Sequence, residues 1–250
     1  MSEQQRIAHY EQAYQADAGF ESVMVHYRQR MLLERLRDLN AAQVVEIGCG
    51  TDLLCDKLDD FARRVRQWLI VEPAADFVAR ARALSARPQL IQAFAEEAVD
   101  AVRQACAGEP ELIICSSLLH EVPDAAALLA ALRRMCGPHT RVHINVPNAA
   151  SMHRRLARSM GLIDSIHALS ARNQMFQQAR VFDAEHLRAV SLAAGFKLLV
   201  EGGYFLKPFT HAQMDAISGV ATPAVLDGLY ALGKEMPELA AEIFVELQPA

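Results

Sequence analysis

Short apolar segments alternate with amphipathic segments along most of the chain. An opening helix is predicted by Tyr27, Met31, Leu32, Leu36 and Leu39, which recur at helical spacing. Apolar runs then predict five strands, each followed by a segment with an apolar stripe: 44–47, 68–71, 90–94, 112–115 and 141–146. Strands that are buried on both faces read as continuous apolar runs. The pattern therefore predicts an α/β fold with a parallel sheet covered on both faces.

Two segments depart from this regular alternation or need separate interpretation. Leu54, Leu58 and Phe61 predict a helix directly after the first strand. Residues 148–180 interrupt the alternation; they are helix-prone and form a candidate lid or substrate pocket.

The pattern resumes with a helix over 183–194 and a strand over 196–200. A further strand over 204–206 follows Gly202 and Gly203 so closely that a terminal antiparallel pair is expected. Residues from 211 onward predict helices that pack on the domain.

Composition narrows the function classes. The 250 residues are 52% hydrophobic and 22% charged, which suits one α/β domain with a small appendage. A net charge of -5 provides no general basic field for nucleic acid or for an anionic membrane. No apolar run approaches the roughly 20 residues that a membrane span needs, and the first residues lack a signal-peptide core. Five cysteines without a CxxC pair favour reduced thiols and a cytoplasmic protein.

The glycine-rich turn after the first strand is the main chemical signal. Gly48 and Gly50 let a ligand approach the backbone closely, and Glu72 ends the second strand. In doubly wound folds an acid at this place faces ribose hydroxyls. A dinucleotide fingerprint needs glycine or alanine at position 53, where the chain has Leu53. A nucleoside ligand without a pyrophosphate fits better than a nicotinamide cofactor.

Four landmarks in order carry a family resemblance. The stretch 46–52 (EIGCGTD) resembles motif I of class I S-adenosylmethionine-dependent methyltransferases, although Asp52 stands where the last glycine usually does. Glu72 resembles the acid that holds both ribose hydroxyls in that family. The stretch 116–124 (SSLLHEVPD) resembles the segment after strand four in small-molecule members, and 193–196 (AAGF) resembles the turn before strand six.

The resemblance covers about residues 40–206 and implies an enzyme with a Rossmann-like architecture. We expect a doubly wound, seven-stranded sheet that is mostly parallel, with a terminal antiparallel strand, a helical insertion after strand five and a helical C-terminus. The expected organisation is an N-terminal helical cap (1–40), a cofactor-binding domain (41–210) that includes the insertion (148–180), and C-terminal helices (211–250).

The resemblance also implies the binding residues of S-adenosyl-L-methionine. Residues near the methionine part, the ribose, the adenine and the sulfonium are expected to be Glu46, Gly48, Cys49, Gly50, Glu72, Pro73, Phe94, Ala95, Ser116 and Ser117. The opening helix often reaches the methionine carboxylate in this family. Tyr27, Arg28 and Arg30 are equal candidates for that contact.

Histidines are the candidate catalytic residues: His120, His153 and His167. His120 is either a general base or orienting group, since its ordinary pKa suits that work, or a partly buried histidine that closes a turn. No metal site is expected, because no acid at ligand spacing accompanies His153 and His167.

The insertion holds five arginines, with Asp164 as its one acid between 151 and 180. This excess indicates either a pocket for a carboxylate or phosphate on the acceptor, or a solvated helix face. The candidate substrate-binding residues are Arg154, Arg155, Arg158 and Arg180, with Asn145 at the end of strand five.

The resulting hypothesis is methylation of a small molecule, on an oxygen atom of an acceptor that carries an anionic group. The alternatives within enzymes are nitrogen or carbon methylation, or methylation of a protein or carrier-bound substrate. The alternative from another class is a non-catalytic, cofactor-binding regulatory or scaffold protein. The expected partner is the acceptor, with no nucleic acid and no membrane. Phe244 and Leu247 belong to a C-terminal stripe that serves packing or a homodimer surface.

Overall fold

The computed structural model describes residues 5–9, 12, 19–58, 64–84, 87–107, 109–176 and 178–250. In this part of the chain seven strands form one sheet in the order β3-β2-β1-β4-β5-β7-β6. The strands are β1 (Gln43–Ile47), β2 (Gln67–Val71), β3 (Gln89–Ile91), β4 (Leu112–Ser116), β5 (Arg141–Pro147), β6 (Phe196–Tyr204) and β7 (Glu242–Pro249). Strand β7 pairs antiparallel with β5 and β6, while the other neighbours are parallel. The predicted fold class is confirmed.

Helices cover both faces of this sheet. They are α1 (Phe20–Leu39), α2 (Ala75–Arg82), α3 (Val99–Ala105), α4 (Ala125–Met135), α5 (Met152–Ser159), α6 (Ala171–Met175), α7 (Ala184–Ala193), α8 (His211–Ala216) and α9 (Pro223–Glu235). The Asp124 carboxylate accepts from the backbone N–H groups of Ala126 and Ala127, which caps α4 as predicted. None of the described helices has both the length and the apolar character that crossing a bilayer requires.

Strand side chains alternate between two hydrophobic cores. Val45 and Ile47 face the core under α3, α4 and α7, whereas Val44 faces the core under α1 and α2. Both faces of β1 are therefore buried, which explains why its sequence is an apolar run. The carboxyl ends of the parallel strands lie together at one edge of the sheet, where ligands bind in folds of this type.

Helix α1 is fastened to the last strand by buried charges. The Arg28 guanidinium donates to the Glu242 carboxylate at 2.5–3.1 Å, and Arg35 donates to Glu246 at 2.6–3.0 Å. Both glutamates are almost fully buried. Buried ion pairs of this kind are sensitive to the loss of one partner.

The prediction for the end of the chain was wrong in two respects. Residues 204–206 do not form a separate strand, and 242–249 form the antiparallel strand β7 rather than a helix. A Cβ on Gly202 would lie 2.8 Å from the Phe244 ring, and one on Gly203 would lie 2.7 Å from the Ala240 Cβ. These glycines therefore permit close packing inside one long strand and do not make the tight turn that was expected.

The segment after β1 also differs from the prediction. Leu54–Lys57 form a short 3₁₀ helix, and Leu58 is already extended, while Phe61 lies outside the described residues. Leu53, Leu54 and Cys55 are buried consecutively. Three adjacent buried residues suit a tight turn, whereas an amphipathic helix buries every third or fourth position.

Candidate active site

The glycine-rich turn lies at the carboxyl end of β1 and has the backbone geometry that glycine provides. Gly48 has φ +73° and Gly50 has φ +62°, in the left-handed region. A Cβ on Gly48 would approach Leu118 Cδ2 to 3.1 Å, while one on Gly50 would meet no described heavy atom within 4 Å. The turn therefore leaves bare backbone facing an open space beside β1.

Glu72 is fixed across the ends of β1 and β2. Its carboxylate is buried and accepts hydrogen bonds from the backbone N–H groups of Cys49 at 3.1 Å and Ala74 at 2.8 Å. These two donors hold the carboxylate beside the glycine-rich turn. Glu72 therefore lies beside the glycine-rich turn, bonded to the backbone of Cys49.

Glu46 is a second buried acid at this edge. Its carboxyl accepts a hydrogen bond from Trp68 Nε1 at 2.8 Å. Burial, together with the nearby Glu72 carboxylate, raises the pKa of Glu46 to about 8 even though the Trp68 hydrogen bond opposes the shift. This environment favours the neutral form of the Glu46 carboxyl.

Three cavities lie along the carboxyl edge of the sheet. Cavity A, of about 360 Å³, is lined by Glu72, Pro73, Phe94 and Ala95 among others. Cavity B, of about 240 Å³, lies on the α1 side of the turn and is lined by Glu46, Cys49, Gly50, Ser116 and Ser117 among others. Gly48 and Leu118 line both cavities, so A and B adjoin at the glycine-rich turn. All ten predicted cofactor-binding residues line A or B.

Cavity C, of about 140 Å³, adjoins cavity B. Glu21, Arg28 and Ser117 line both of them. Ser117 has φ 54°, an uncommon conformation for a residue other than glycine, and its N–H donates to the Asn145 carbonyl at 2.9 Å. Such backbone strain is concentrated at functional sites, and here it lies where B and C meet.

Charged groups and histidines from separate segments surround cavity C. Its ionisable lining consists of Glu21, Arg28, His120, Glu121, His153, Arg154, Arg172, Lys207, His211 and Glu242. They come from α1, the segment after β4, the insertion, the segment between β6 and α8, α8 itself, and β7. Cavity C is therefore assembled from residues far apart in the sequence.

The structure distinguishes among the three candidates on the opening helix. Tyr27 and Arg30 both donate to Asp227, at 3.0 and 2.6 Å, on the α9 side of α1. Arg28 lines cavities B and C, with its guanidinium held by Glu242 and Glu21. Of the three side chains, Arg28 is the one placed at the cavities.

Two predicted histidines line cavity C but are poor bases there. Burial lowers the pKa of His120 to about 3, with the Arg28 charge adding to the effect. Burial and the Lys207 and Arg154 charges lower the pKa of His153 to about 2. Both imidazoles are therefore uncharged at neutral pH. They can orient a ligand by hydrogen bonding, but neither is matched to proton abstraction near pH 7.

The third histidine and two arginines of the insertion point away from the cavities. His167 Nε2 lies 3.3 Å from Asp183 Oδ2, with 47% of its side chain exposed. Arg155 is exposed and donates to the Ala150 carbonyl, and Arg158 is exposed on α5. None of these three residues lines cavity A, B or C. Arg155 and Arg158 lie on α5, an arginine-rich helix with no buried residue that presents most of its charges to solvent.

Two further candidates have structural roles next to the cavities. Arg180 donates to the Pro123 carbonyl at 2.5 Å and lines none of the three cavities. Asn145 is fully buried, and its amide donates to Tyr204 Oη and Glu242 Oε2. Arg154 does line cavity C, but its guanidinium donates to the carbonyls of Ile166 and Ala168.

Several residues of cavity C were not among the sequence candidates: Glu21, Arg172, Lys207, His211 and Glu242. Arg172 was noted in the insertion's basic excess. The others are single charged residues in two helices, a loop and a strand that are separated along the chain, so local spacing carries no signal for them. The alternation in 242–247 (EIFVEL) would have indicated a strand with Glu242 and Glu246 on one face.

Comparison with known proteins agrees with this geometry. Residues 19–201 match a family model described as "Methyltransferase domain". The chain belongs to this family, the S-adenosylmethionine-dependent methyltransferases with the class I fold. A curated relative, the "Ubiquinone biosynthesis O-methyltransferase" of Sodalis glossinidius, is 26% identical over 117 residues, which are 47% of this chain. The match spans 46% of that relative.

Solved structures show the same fold at low sequence identity. An S-adenosylmethionine-dependent methyltransferase from Mesorhizobium loti is 16% identical, with a TM-score of 0.57 over 86% of this chain and 96% of that one. A Burkholderia thailandensis 1,6-didemethyltoxoflavin-N1-methyltransferase, solved with 1,6-didemethyltoxoflavin and S-adenosylhomocysteine, is 15% identical. Its TM-score is 0.51 over 89% of this chain and 76% of that one.

Proposed function

We propose that this methyltransferase transfers a methyl group from S-adenosyl-L-methionine to an oxygen atom of a small molecule that carries an anionic group. The observation that supports the proposal is a group of three mutually adjoining cavities. Gly48 lines both A and B, Ser117 lines both B and C, and Glu121 and Phe176 line both A and C. This arrangement suits a donor in A and B and an acceptor in C, with Ser117 beside the transfer point.

The residues of A and B fit the proposed cofactor. Glu72 presents a fixed carboxylate suited to ribose hydroxyls, and Pro73 and Phe94 supply apolar surface for an adenine. Cavity B combines the bare backbone of Gly50 with Glu46 and Arg28, which suits the amino and carboxylate groups of a methionine. When bound, S-adenosylmethionine supplies an electrophilic methyl group.

The chain's own contribution is alignment and exclusion of water. Methyl transfer needs little acid–base chemistry from the protein, so the low pKa values of His120 and His153 do not argue against activity. We assign residues 148–180 as the lid of cavity C, since Arg154, Arg172 and Phe176 line it from that segment. The Arg28–Glu242 ion pair fixes the wall shared by α1 and β7.

The relatives' names support parts of the proposal. The name of the Sodalis protein specifies O-methylation, and the Burkholderia protein was solved with a small molecule bound. The latter's name specifies a nitrogen atom, so nitrogen methylation is the second candidate. The charged lining of cavity C favours an acceptor with an anionic group over an apolar one.

The test is turnover with matched acceptors. Protein and S-adenosylmethionine are incubated with 4-hydroxybenzoate, its methyl ester and 4-aminobenzoate, and then with a wider panel of phenols, enols and amines. Formation of S-adenosylhomocysteine and the methylated product is followed by mass spectrometry. We expect methylation on oxygen and a higher KM for esters than for the matching acids. Products on nitrogen would favour the second candidate, and cofactor binding without turnover on any acceptor would favour a scaffold protein.

A further inference from the structure

Lys207 places a buried positive charge in cavity C. Lys207 is 4% exposed, and its Nζ lies 3.1 Å from His211 Nδ1. Among the residues that the structure describes, no carboxylate lies within the 4.0 Å of Nζ that an ion pair requires. Burying an ammonium is costly unless an opposite charge compensates it. The position of Lys207 in a cavity next to the transfer point suggests that a ligand supplies this charge.

His211 and Glu21 orient the ammonium. A protonated lysine can only donate, so His211 Nδ1 is the acceptor in this hydrogen bond and the ring proton lies on Nε2. His211 Nε2 is 3.0 Å from Glu21 Oε2, to which it donates. The three side chains form a chain, Glu21–His211–Lys207, that ends at the cavity.

The arginines of the same cavity already have partners. Arg28 pairs with Glu242 and Glu21, and Arg172 lies 3.2 Å from Glu21 Oε2. Arg154 donates to the carbonyls of Ile166 and Ala168. Each arginine of cavity C is thus bonded to an oxygen atom of the protein. Lys207, in the part of the chain that the structure describes, is bonded to a histidine nitrogen instead.

We infer that Lys207 binds an ionised oxygen of the acceptor in cavity C. The inference rests on the proposed function, because it takes cavity C to be the acceptor site. Two parts of an acceptor can present such an oxygen: the hydroxyl that receives the methyl group, once ionised, or a carboxylate elsewhere on the molecule. Both share the chemistry that an ammonium recognises.

The environment of Lys207 gives this site a characteristic pH dependence. Burial lowers the pKa of Lys207 to about 8, an effect that Arg172 and Arg154 increase and that Glu21 and Glu242 oppose. The neighbouring His153 and His211 also have pKa values lowered by burial. An anion binds the protonated amine, so affinity should fall as the pH rises through about 8. Bound anion should in turn raise the pKa of Lys207.

Competitive amine labelling measures this directly. The sequence has four lysines, and the other three, Lys57, Lys197 and Lys234, are exposed. Trace acetic anhydride is applied from pH 6 to 11, and peptide mass spectrometry reports the modification of Lys207 relative to the exposed Lys57 and Lys234. We expect a midpoint near pH 8 for Lys207, and at least a tenfold slower modification of Lys207 when 4-nitrophenolate or benzoate is saturating.

The two probes separate the two sources of the oxygen. If 4-nitrophenol becomes more ionised on binding at fixed pH, as its visible absorbance reports, Lys207 stabilises an ionised hydroxyl. If benzoate alone protects Lys207, the site takes a carboxylate. Lys207→Met should abolish both effects, Lys207→Arg should retain part of the affinity, and Lys197→Met is the matched control. Thermal unfolding checks that each variant is folded; Lys207→Met removes a buried charge and should not destabilise the protein.

Separate measurements test the role of Lys207 and the proposed methyltransferase function. The inference would be overturned if neither probe protected Lys207 from modification. It would also be overturned if both probes bound to the Lys207→Met variant as tightly as to the wild type. Either result would count even if methylation is observed. Calorimetry with S-adenosylmethionine is run on the same proteins, and its affinity should be equal in wild type and Lys207→Met, because Lys207 lines neither A nor B. A chain that binds the anions but not the cofactor would contradict the proposed function alone.

Discussion

The cofactor side and the acceptor side of the site are built in different ways. Cavities A and B are built around the ends of β1, β2 and β4, with Glu72 bonded to Cys49 across 23 positions of sequence, and α1 also lines B. Cavity C joins residues separated by much longer stretches, such as Glu21 with His211 across 190 positions and Arg28 with Glu242 across 214. The first side is determined by strand-and-turn motifs, whereas the second depends on how distant segments pack.

The two sides also differ in how their charges are compensated. On the cofactor side, backbone N–H groups and an indole hold the two carboxyls Glu72 and Glu46. On the acceptor side, side-chain charges compensate one another, and Lys207 has a histidine partner. We therefore expect that removing one partner of a buried ion pair on the acceptor side destabilises the fold, whereas neutralising the buried Glu46 carboxyl on the cofactor side stabilises it.

The largest expected effect comes from breaking the buried ion pair on the acceptor side. Glu242→Ala removes the more buried of the two carboxylates that pair with Arg28. It also leaves Tyr204 and Asn145 without the carboxylate to which both donate. We expect a loss of about 3–5 kcal/mol in the free energy of unfolding, measured by urea denaturation. The matched control is Glu201→Ala, which breaks an exposed pair with Arg188 and should change nothing measurable. Equal losses of unfolding free energy in Glu242→Ala and Glu201→Ala would show that burial of the Arg28–Glu242 ion pair does not determine its importance for stability.

A smaller effect, dependent on pH, is expected on the cofactor side. The folded-state pKa of Glu46 is raised from 4.5 to about 8, so its contribution to stability is present below about pH 4.5 and is lost as the pH rises through 8. Glu46→Gln keeps an acceptor for Trp68 without an ionisable group. As the pH rises from 4.5 to 8, the free energy of unfolding of the variant should come to exceed that of the wild type by on the order of 2–4 kcal/mol. Parallel denaturation series at several pH values test this, and a pH-independent difference would show that Glu46 is ionised normally.

The smallest effect concerns the arginines that face solvent. Arg155→Ala combined with Arg158→Ala should change the free energy of unfolding by less than about 0.5 kcal/mol and leave the KM for the acceptor unchanged. Arg172→Ala is the comparison, because Arg172 lines cavity C and lies against Glu21. A raised KM in the double variant would restore the original expectation of an arginine pocket on α5.

The same contrast explains how far the sequence alone leads. The parallel sheet, the capping of α4 by Asp124 and the convergence of Gly48 with Glu72 were predictable, because each depends on neighbouring residues or on strand ends in a known topology. Strand β7 was missed because its charged residues, Glu242 and Glu246, are compensated by arginines of α1 some 200 positions away.

The acceptor residues were the least predictable part. A local excess of arginine pointed to the insertion, but an excess of charge does not tell which side chains point inward, and His167, Arg155, Arg158 and Arg180 do not line cavity C. Lys207 and His211 meet Glu21 through the packing of α8 on α1, for which no local pattern exists.

Calorimetry of S-adenosylmethionine binding to the wild type and to Glu72→Ala tests the cofactor site, with circular dichroism confirming that both proteins are folded. We predict micromolar binding to the wild type, and a loss of about 1–3 kcal/mol of binding free energy in Glu72→Ala from the missing hydrogen bonds to a charged group. No binding of S-adenosylmethionine or S-adenosylhomocysteine to the wild type, or equal affinity in the two proteins, would contradict the assignment of cavities A and B.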